Sequence, residues 1–146
     1  MVMRIIIGAL ALAGCAQPAP PANESAAGDA AAPVVTSFEA LAREQLTPDI
    51  VRQALHGETS TFSRWTLKAG SGVPMHSHPN EQVTVILSGR SIVRSGDQTF
   101  HLKAGDVLLF PPNVEHEFSI IEDAVVLDFF APRRQDWIDA ARAGDE

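Results

Sequence analysis

Between Ile50 and Phe130 the chain is a succession of short β-patterned runs, each closed by a turn signal. This spacing limits the possible folds more than any other feature. Residues 50–55, 61–67, 82–88, 91–94, 99–102, 107–110, 117–121 and 124–130 read as strands. His56-Gly57, Ala69-Gly70, Ser88-Gly89, Ser95-Gly96-Asp97, Ala104-Gly105, Pro111-Pro112-Asn113 and Glu122-Asp123 separate them. Many short strands with glycine turns predict an all-β sandwich or barrel. Residues 38–45 predict one or two helical turns. Residues 133–143, with Trp137, Ile138 and Ala141 at helical spacing, predict a short C-terminal helix.

The first 14 residues have the organisation of a targeting segment. Arg4 precedes an apolar run, 5–13, which is too short to span a bilayer as a helix of roughly 20 residues. Leu12-Ala13-Gly14-Cys15 resembles the lipobox of bacterial lipoproteins. That resemblance implies cleavage of residues 1–14 as a lipoprotein signal peptide and lipidation of Cys15. It also implies export and a membrane anchor at the periplasmic face of the cell envelope. Cys15 is the only cysteine, so no intramolecular disulfide can form. Residues 15–36 are rich in alanine and proline with few large apolar side chains, and read as a disordered tether. About 20 residues at ~3 Å each reach up to roughly 60 Å.

Residues 38–146 fit one small domain. A formal charge of −7 argues against nucleic acid and against an anionic membrane surface. Along 82–87, Gln82, Thr84 and Ile86 share one face, and Val83, Val85 and Leu87 the other. A strand apolar on both sides needs its second face covered by a sheet, a terminal segment or a partner subunit, so a homodimer is expected.

The chemistry is concentrated in two runs. In Gly70-Ser-Gly-Val-Pro-Met-His-Ser-His-Pro-Asn-Glu-Gln, His76 and His78 fall one residue apart and point to the same side of an extended strand. Gln82 lies at even spacing from both. His116 closes the second run, which begins at Gly105. Three imidazoles and an amide oxygen suit one divalent transition metal: Zn, Ni, Fe, Mn or Cu. Glu81 is a rival to Gln82 if the turn after Pro79 shifts the register. An all-neutral ligand set leaves the ion its full charge, favouring anionic ligands and Lewis-acid chemistry. His56 and His101 read as ordinary strand or loop residues. Asp128 shares a face with Val126 and Phe130. A carboxylate among apolar neighbours is costly unless it is paired or near a cation, which makes it a candidate general base.

Gly70-x5-His76-x-His78-x3-Gln82-x6-Gly89 is similar to the first cupin motif, and Gly105-x5-Pro111-x-Asn113-x2-His116 to the second. The resemblance covers about 50–130. It implies a small antiparallel β-barrel or jelly roll, the cupin double-stranded β-helix, with the metal inside. Gln82 stands where many cupins have Glu. Asn113 stands for a turn glycine, which Asn can replace in a left-handed conformation. Ile120 stands for a frequent Asn.

Thr47-Pro-Asp-Ile-Val-Arg, His-Ser-His-Pro-Asn-Glu-Gln and Val-Val-Leu-Asp128-Phe-Phe130-Ala-Pro-Arg-Arg134-Gln-Asp-Trp137 resemble small cupins of the KdgF type, which linearise unsaturated uronates. The resemblance implies His76, His78, Gln82 and His116 as metal ligands and a catalytic set of Asp128, Phe130 and Arg134. Arg134, or its neighbour Arg133, would hold a carboxylate in bidentate fashion. The leading expectation is therefore a metal-dependent isomerase or ring-opening enzyme on a small, anionic, uronate-like sugar. A metal-dependent dioxygenase and a non-enzymatic envelope module that binds or senses a small ligand use the same residues; substrate-dependent oxygen uptake marks the first, and tight binding without turnover the second. For the anchor, labelling with palmitate is expected to mark the wild-type chain and not Cys15→Ala; a label that survives the substitution removes Cys15 as the acceptor.

Overall fold

The computed structural model describes residues 32–144. Cys15, the leader and most of the tether lie outside the described residues. Residues 32–37 are exposed and carry no regular structure. No helix among the described residues is long and apolar enough to cross a membrane.

Eight strands follow in order: β1 (Glu44–Thr47), β2 (Ile50–His56), β3 (Thr61–Leu67), β4 (Gly72–His76), β5 (Glu81–Ser95), β6 (Gln98–Lys103), β7 (Val107–Phe110) and β8 (His116–Ala131). One helix, α1 (Gln135–Gly144), ends the described chain. All strand pairs are antiparallel. The all-β expectation with a short C-terminal helix holds.

Two long strands build both layers. The second half of β8 pairs with β3 and with the first half of β5, which also pairs with β7; β2 and β1 extend this layer beyond β3. The first half of β8 pairs with β4 and with the second half of β5, which in turn pairs with β6. The sequence reading splits each long strand in two, at Ser88-Gly89 and at Glu122-Asp123. In the structure those signals are bends rather than hairpins. Gly89 has φ 81°, and the β5–β8 register slips around it. A Cβ on Gly89 would lie 2.3 Å from the Asp123 carbonyl oxygen, so glycine is what lets the two bends nest.

The helical expectation for 38–45 is corrected in part. One 3-10 turn forms at Phe38–Ala40, with Ser37 Oγ accepting from the Ala40 amide, and the chain then extends into β1. The Gln53 side-chain amide donates to the carbonyls of Phe38 and Leu41, which a longer helix would have used internally.

The core grades from apolar to polar along the inner faces. Ile86, Val93, Phe118, Ile120 and Val126 fill one end. Toward the other end, register sets Ser63, Asp128 and Thr84 side by side, then Thr61, Phe130, Gln82 and Phe110. Outside, Val83 and Val85 lie beside Leu109, Val107, Phe129 and Leu127. Leu109, Val107 and Phe129 are exposed. Phe38, packed at 5.5 Å on Phe62, covers only one margin of this face among the described residues.

Candidate metal centre

His76 closes β4 directly opposite His116, the first residue of β8. The strand expectation for both early histidines is met by His76; His78 stands in the loop beyond β4. That loop is fixed by its own contacts. The Asn113 amide donates to the His78 carbonyl at 2.8 Å, from a backbone with φ 64°, the left-handed conformation expected of Asn at this turn. One ligating nitrogen from each of His76, His78 and His116 lies within 4.8 Å of the other two.

Each ring has a backbone carbonyl at Nδ1. His76 Nδ1 faces the Pro74 carbonyl at 2.8 Å, His78 Nδ1 the Asn80 carbonyl at 3.0 Å, and His116 Nδ1 the Val114 carbonyl at 2.8 Å. A carbonyl only accepts, so a proton on Nδ1 satisfies each of these contacts and, in the neutral ring, leaves Nε2 with a lone pair for a ligand. Burial holds the neutral form: it lowers the pKa of His78 and pulls His116 down to about 4. His116 Nε2 is buried without a hydrogen-bond partner. His78 Nε2 lies 2.9 Å from Gln82 Oε1, close enough for both atoms to ligate one ion. A cation at this point would be bound by both. The donor set therefore fits a divalent transition metal. Gln82 is buried on this side, whereas Glu81 is exposed on the opposite face of β5.

Beside the histidines lies a cavity of about 190 Å³, lined by His76, Gln82, Asp128 and Phe130, by Arg52 and Arg134, and by apolar and indole side chains. Asp128 faces inward, as the shared face with Val126 and Phe130 predicts. Burial pushes its carboxyl up to about 6, against the Thr84 hydrogen bond and the charge of Arg134. Thr84 Oγ1 donates to Asp128 Oδ1 at 2.6 Å.

The two candidate arginines part company. Arg133 turns outward to Gln135 Oε1 and the Gly57 carbonyl. Arg134 is buried against the cavity. Its Nε and one Nη bind Asp136 at 2.9 and 2.7 Å, and its guanidinium stacks 4.1 Å from Trp137 and 5.0 Å from Phe130. Two contacts fix the approach to it: buried Asn80 donates to the carbonyls of Pro132 and Arg133, and the Arg134 amide donates to Thr61 Oγ1 at 3.0 Å.

Sequence reasoning missed Arg52. It is a second buried guanidinium in the cavity wall, 3.7 Å from Trp137, with Glu44 bound at 2.5 Å and Nε unpartnered. A signal was there: Arg52 has the same parity as buried Ile50 on a strand, a charge on a core face. Both guanidinium carbons lie over one indole, so they are no further apart than the sum of their two distances to it.

Residues 63–130 match the cupin domain family. A cupin domain is therefore assigned to this segment. An uncharacterised protein of Streptomyces coelicolor, SCO3923, is 31% identical over 81 residues, covering 55% of this chain and 77% of that protein. Among solved structures, an RmlC-like cupin from Shewanella frigidimarina superposes with a TM-score of 0.67 at 23% identity, covering 73% of this chain and 96% of the other. KdgF from a Halomonas species superposes with a TM-score of 0.62 at 24% identity, covering 66% and 92%. At these identities the two structures speak for the fold. Elemental analysis of the purified full chain is expected to find near-stoichiometric divalent metal, lost in a His76→Ala/His116→Ala double variant. Wild type that stays metal-free after reconstitution would remove the metal from the site.

Proposed function

We propose that this cupin is a metal-dependent isomerase or ring-opening enzyme acting on a small carboxylated substrate of the uronate type. One observation carries the reading: a buried carboxyl, pushed up to about 6 by that burial, lines one cavity with His76 of the three-histidine cluster and two guanidinium groups. A divalent ion held by His76, His78, Gln82 and His116 would supply Lewis-acid polarisation of a substrate carbonyl or hydroxyl. Asp128 would take a proton from the polarised substrate and return it elsewhere; a pKa near neutrality suits a group that must do both. Arg134 would receive the carboxylate with the Nη that Asp136 leaves free, and Arg52 would add its charge to the same subsite. Phe130, edge-on to His78 at 5.5 Å and to Trp137 at 5.1 Å, would keep water from the reacting end. Proton transfer of this kind leaves the substrate's oxidation state unchanged and calls for no oxygen. The KdgF-type resemblance makes 4,5-unsaturated uronates the first substrates to test.

Asp128→Asn keeps an oxygen to accept from Thr84 and loses the base. It is expected to lower kcat by about 10²- to 10⁴-fold with metal content unchanged. In the wild type, kcat/KM should rise with pH as Asp128 ionises. The acid limb should have its midpoint at about 6, or lower once a cation sits nearby, because positive charge favours the carboxylate. Full activity in Asp128→Asn would take Asp128 out of the mechanism, and oxygen consumption tied to turnover would favour the dioxygenase.

The same proposal extends to the setting. The exposed apolar row of Val107, Leu109 and Phe129 suits a second copy of this chain, and the Cys15 anchor would hold the enzyme at the cell envelope. Light scattering of the full chain at micromolar concentration is expected to give a dimer mass; a monomer mass across that range would refute the pairing.

A further inference from the structure

Gln82 is the one member of the proposed ligand set whose chemistry does not fix its own orientation. An amide presents an oxygen and an NH₂ group of nearly the same shape, and only the oxygen can bind a cation. An amide free to turn would offer the wrong end for part of the time.

Its orientation is set from the next residue on the same face. Gln82 Nε2 donates to Thr84 Oγ1 at 2.9 Å, and Thr84 Oγ1 donates to Asp128 Oδ1 at 2.6 Å. A hydroxyl has one proton. The carboxylate takes it, at the short distance of a charge-assisted bond. Thr84 then has only lone pairs to offer Gln82, so the NH₂ end must face it. The amide oxygen is thereby turned toward His78 Nε2. All three side chains are buried, at 4, 0 and 6% exposure, so water does not compete for these bonds.

The relay stands on strands rather than loops. Thr84 is the register partner of Asp128 in the β5–β8 pair, and Gln82 stands two residues away on the same inner face. A β-branched residue in a strand has a restricted χ1, which keeps the hydroxyl aimed.

We propose that Thr84 is a positioning residue for the metal: it carries the orientation imposed by Asp128 to Gln82, so that the amide oxygen faces the ion. The inference rests on the reading that the three histidines and Gln82 hold a metal. Asp128 then has two tasks. Oδ1 anchors the relay, and the proton transfer proposed above would use the same carboxylate.

The test compares wild type, Thr84→Val and Thr84→Ser as full chains, with cobalt(II) as probe. Affinity is read by competition with a chromophoric chelator, and the ligand field by the visible spectrum of the bound ion. Valine keeps the shape of threonine and has no hydroxyl; serine keeps the hydroxyl. Thr84→Val is expected to bind cobalt about 10- to 100-fold more weakly, the usual effect of losing a group that orients a ligand. Its spectrum should shift as the amide oxygen leaves, and Thr84→Ser should restore both. Wild-type affinity and spectrum in a folded Thr84→Val chain would overturn the relay while leaving the metal reading intact. Wild type that takes up neither cobalt nor zinc would overturn both. A second measurement needs no variant. In zinc-loaded wild type the Gln82 side-chain amide should show one hydrogen-bonded proton protected from exchange; two freely exchanging protons would refute the relay whatever the fate of Thr84→Val.

Discussion

The antiparallel pairing of β5 with β8 is the constraint on which the rest depends. Both strands run through both layers and bend at the same level, where Gly89 nests against Asp123 and Ala124. Side chains alternate across a strand, so a slip of one residue would turn every inward group outward. Gln82, Thr84 and Ile86 on one strand and Val126, Asp128 and Phe130 on the other would exchange places with Val83, Val85, Leu127 and Phe129. The apolar end of the barrel penalises such a slip, because Ile86 and Val126 are partners in the core. The register that buries hydrocarbon is therefore also the register that assembles the site.

The polar end is costly to build, and the chain meets that cost locally. A carboxylate, two guanidiniums, an amide and two imidazoles are withdrawn from water at one end of a small barrel, with a third imidazole, His76, half-buried beside them. Each guanidinium has a carboxylate on its outer side, Glu44 for Arg52 and Asp136 for Arg134, and an indole on its flank. Each imidazole has Nδ1 against a carbonyl two residues away in the chain. Of the four buried side-chain atoms left without partners among the described residues, His116 Nε2 belongs to the cluster and Arg52 Nε to the cavity wall; Arg64 Nε and Ser91 Oγ lie outside both.

Much of this was legible in residue patterns. Strand positions, glycine turns, the C-terminal helix and the left-handed Asn113 followed from local rules. His76, His78 and His116 stood out by type and spacing, and the parity of 124–130 predicted an inward Asp128. Local rules misread the bends in β5 and β8, because a glycine that permits a hairpin also permits a bulge, and the choice depends on what lies opposite. They placed a helical turn in 38–45 but not its end: the carbonyls of Phe38 and Leu41 are taken by Gln53, on a strand that packs there only in the folded chain.

What the sequence determined by itself was an inventory with directions: an all-β domain, a trio of histidines, and a carboxylate and an amide on inward faces. Short-range geometry suffices for that, since alternation and turn chemistry act over a few residues. The tertiary structure decided which of these meet. It set Gln82 rather than Glu81 against His78, turned Arg134 inward and Arg133 outward, brought Arg52 from β2 onto the indole of Trp137, and placed Thr84 between an amide and a carboxylate 44 residues further along the chain. These outcomes depend on strand register and on packing between distant segments, and neither is encoded in any one stretch of the chain.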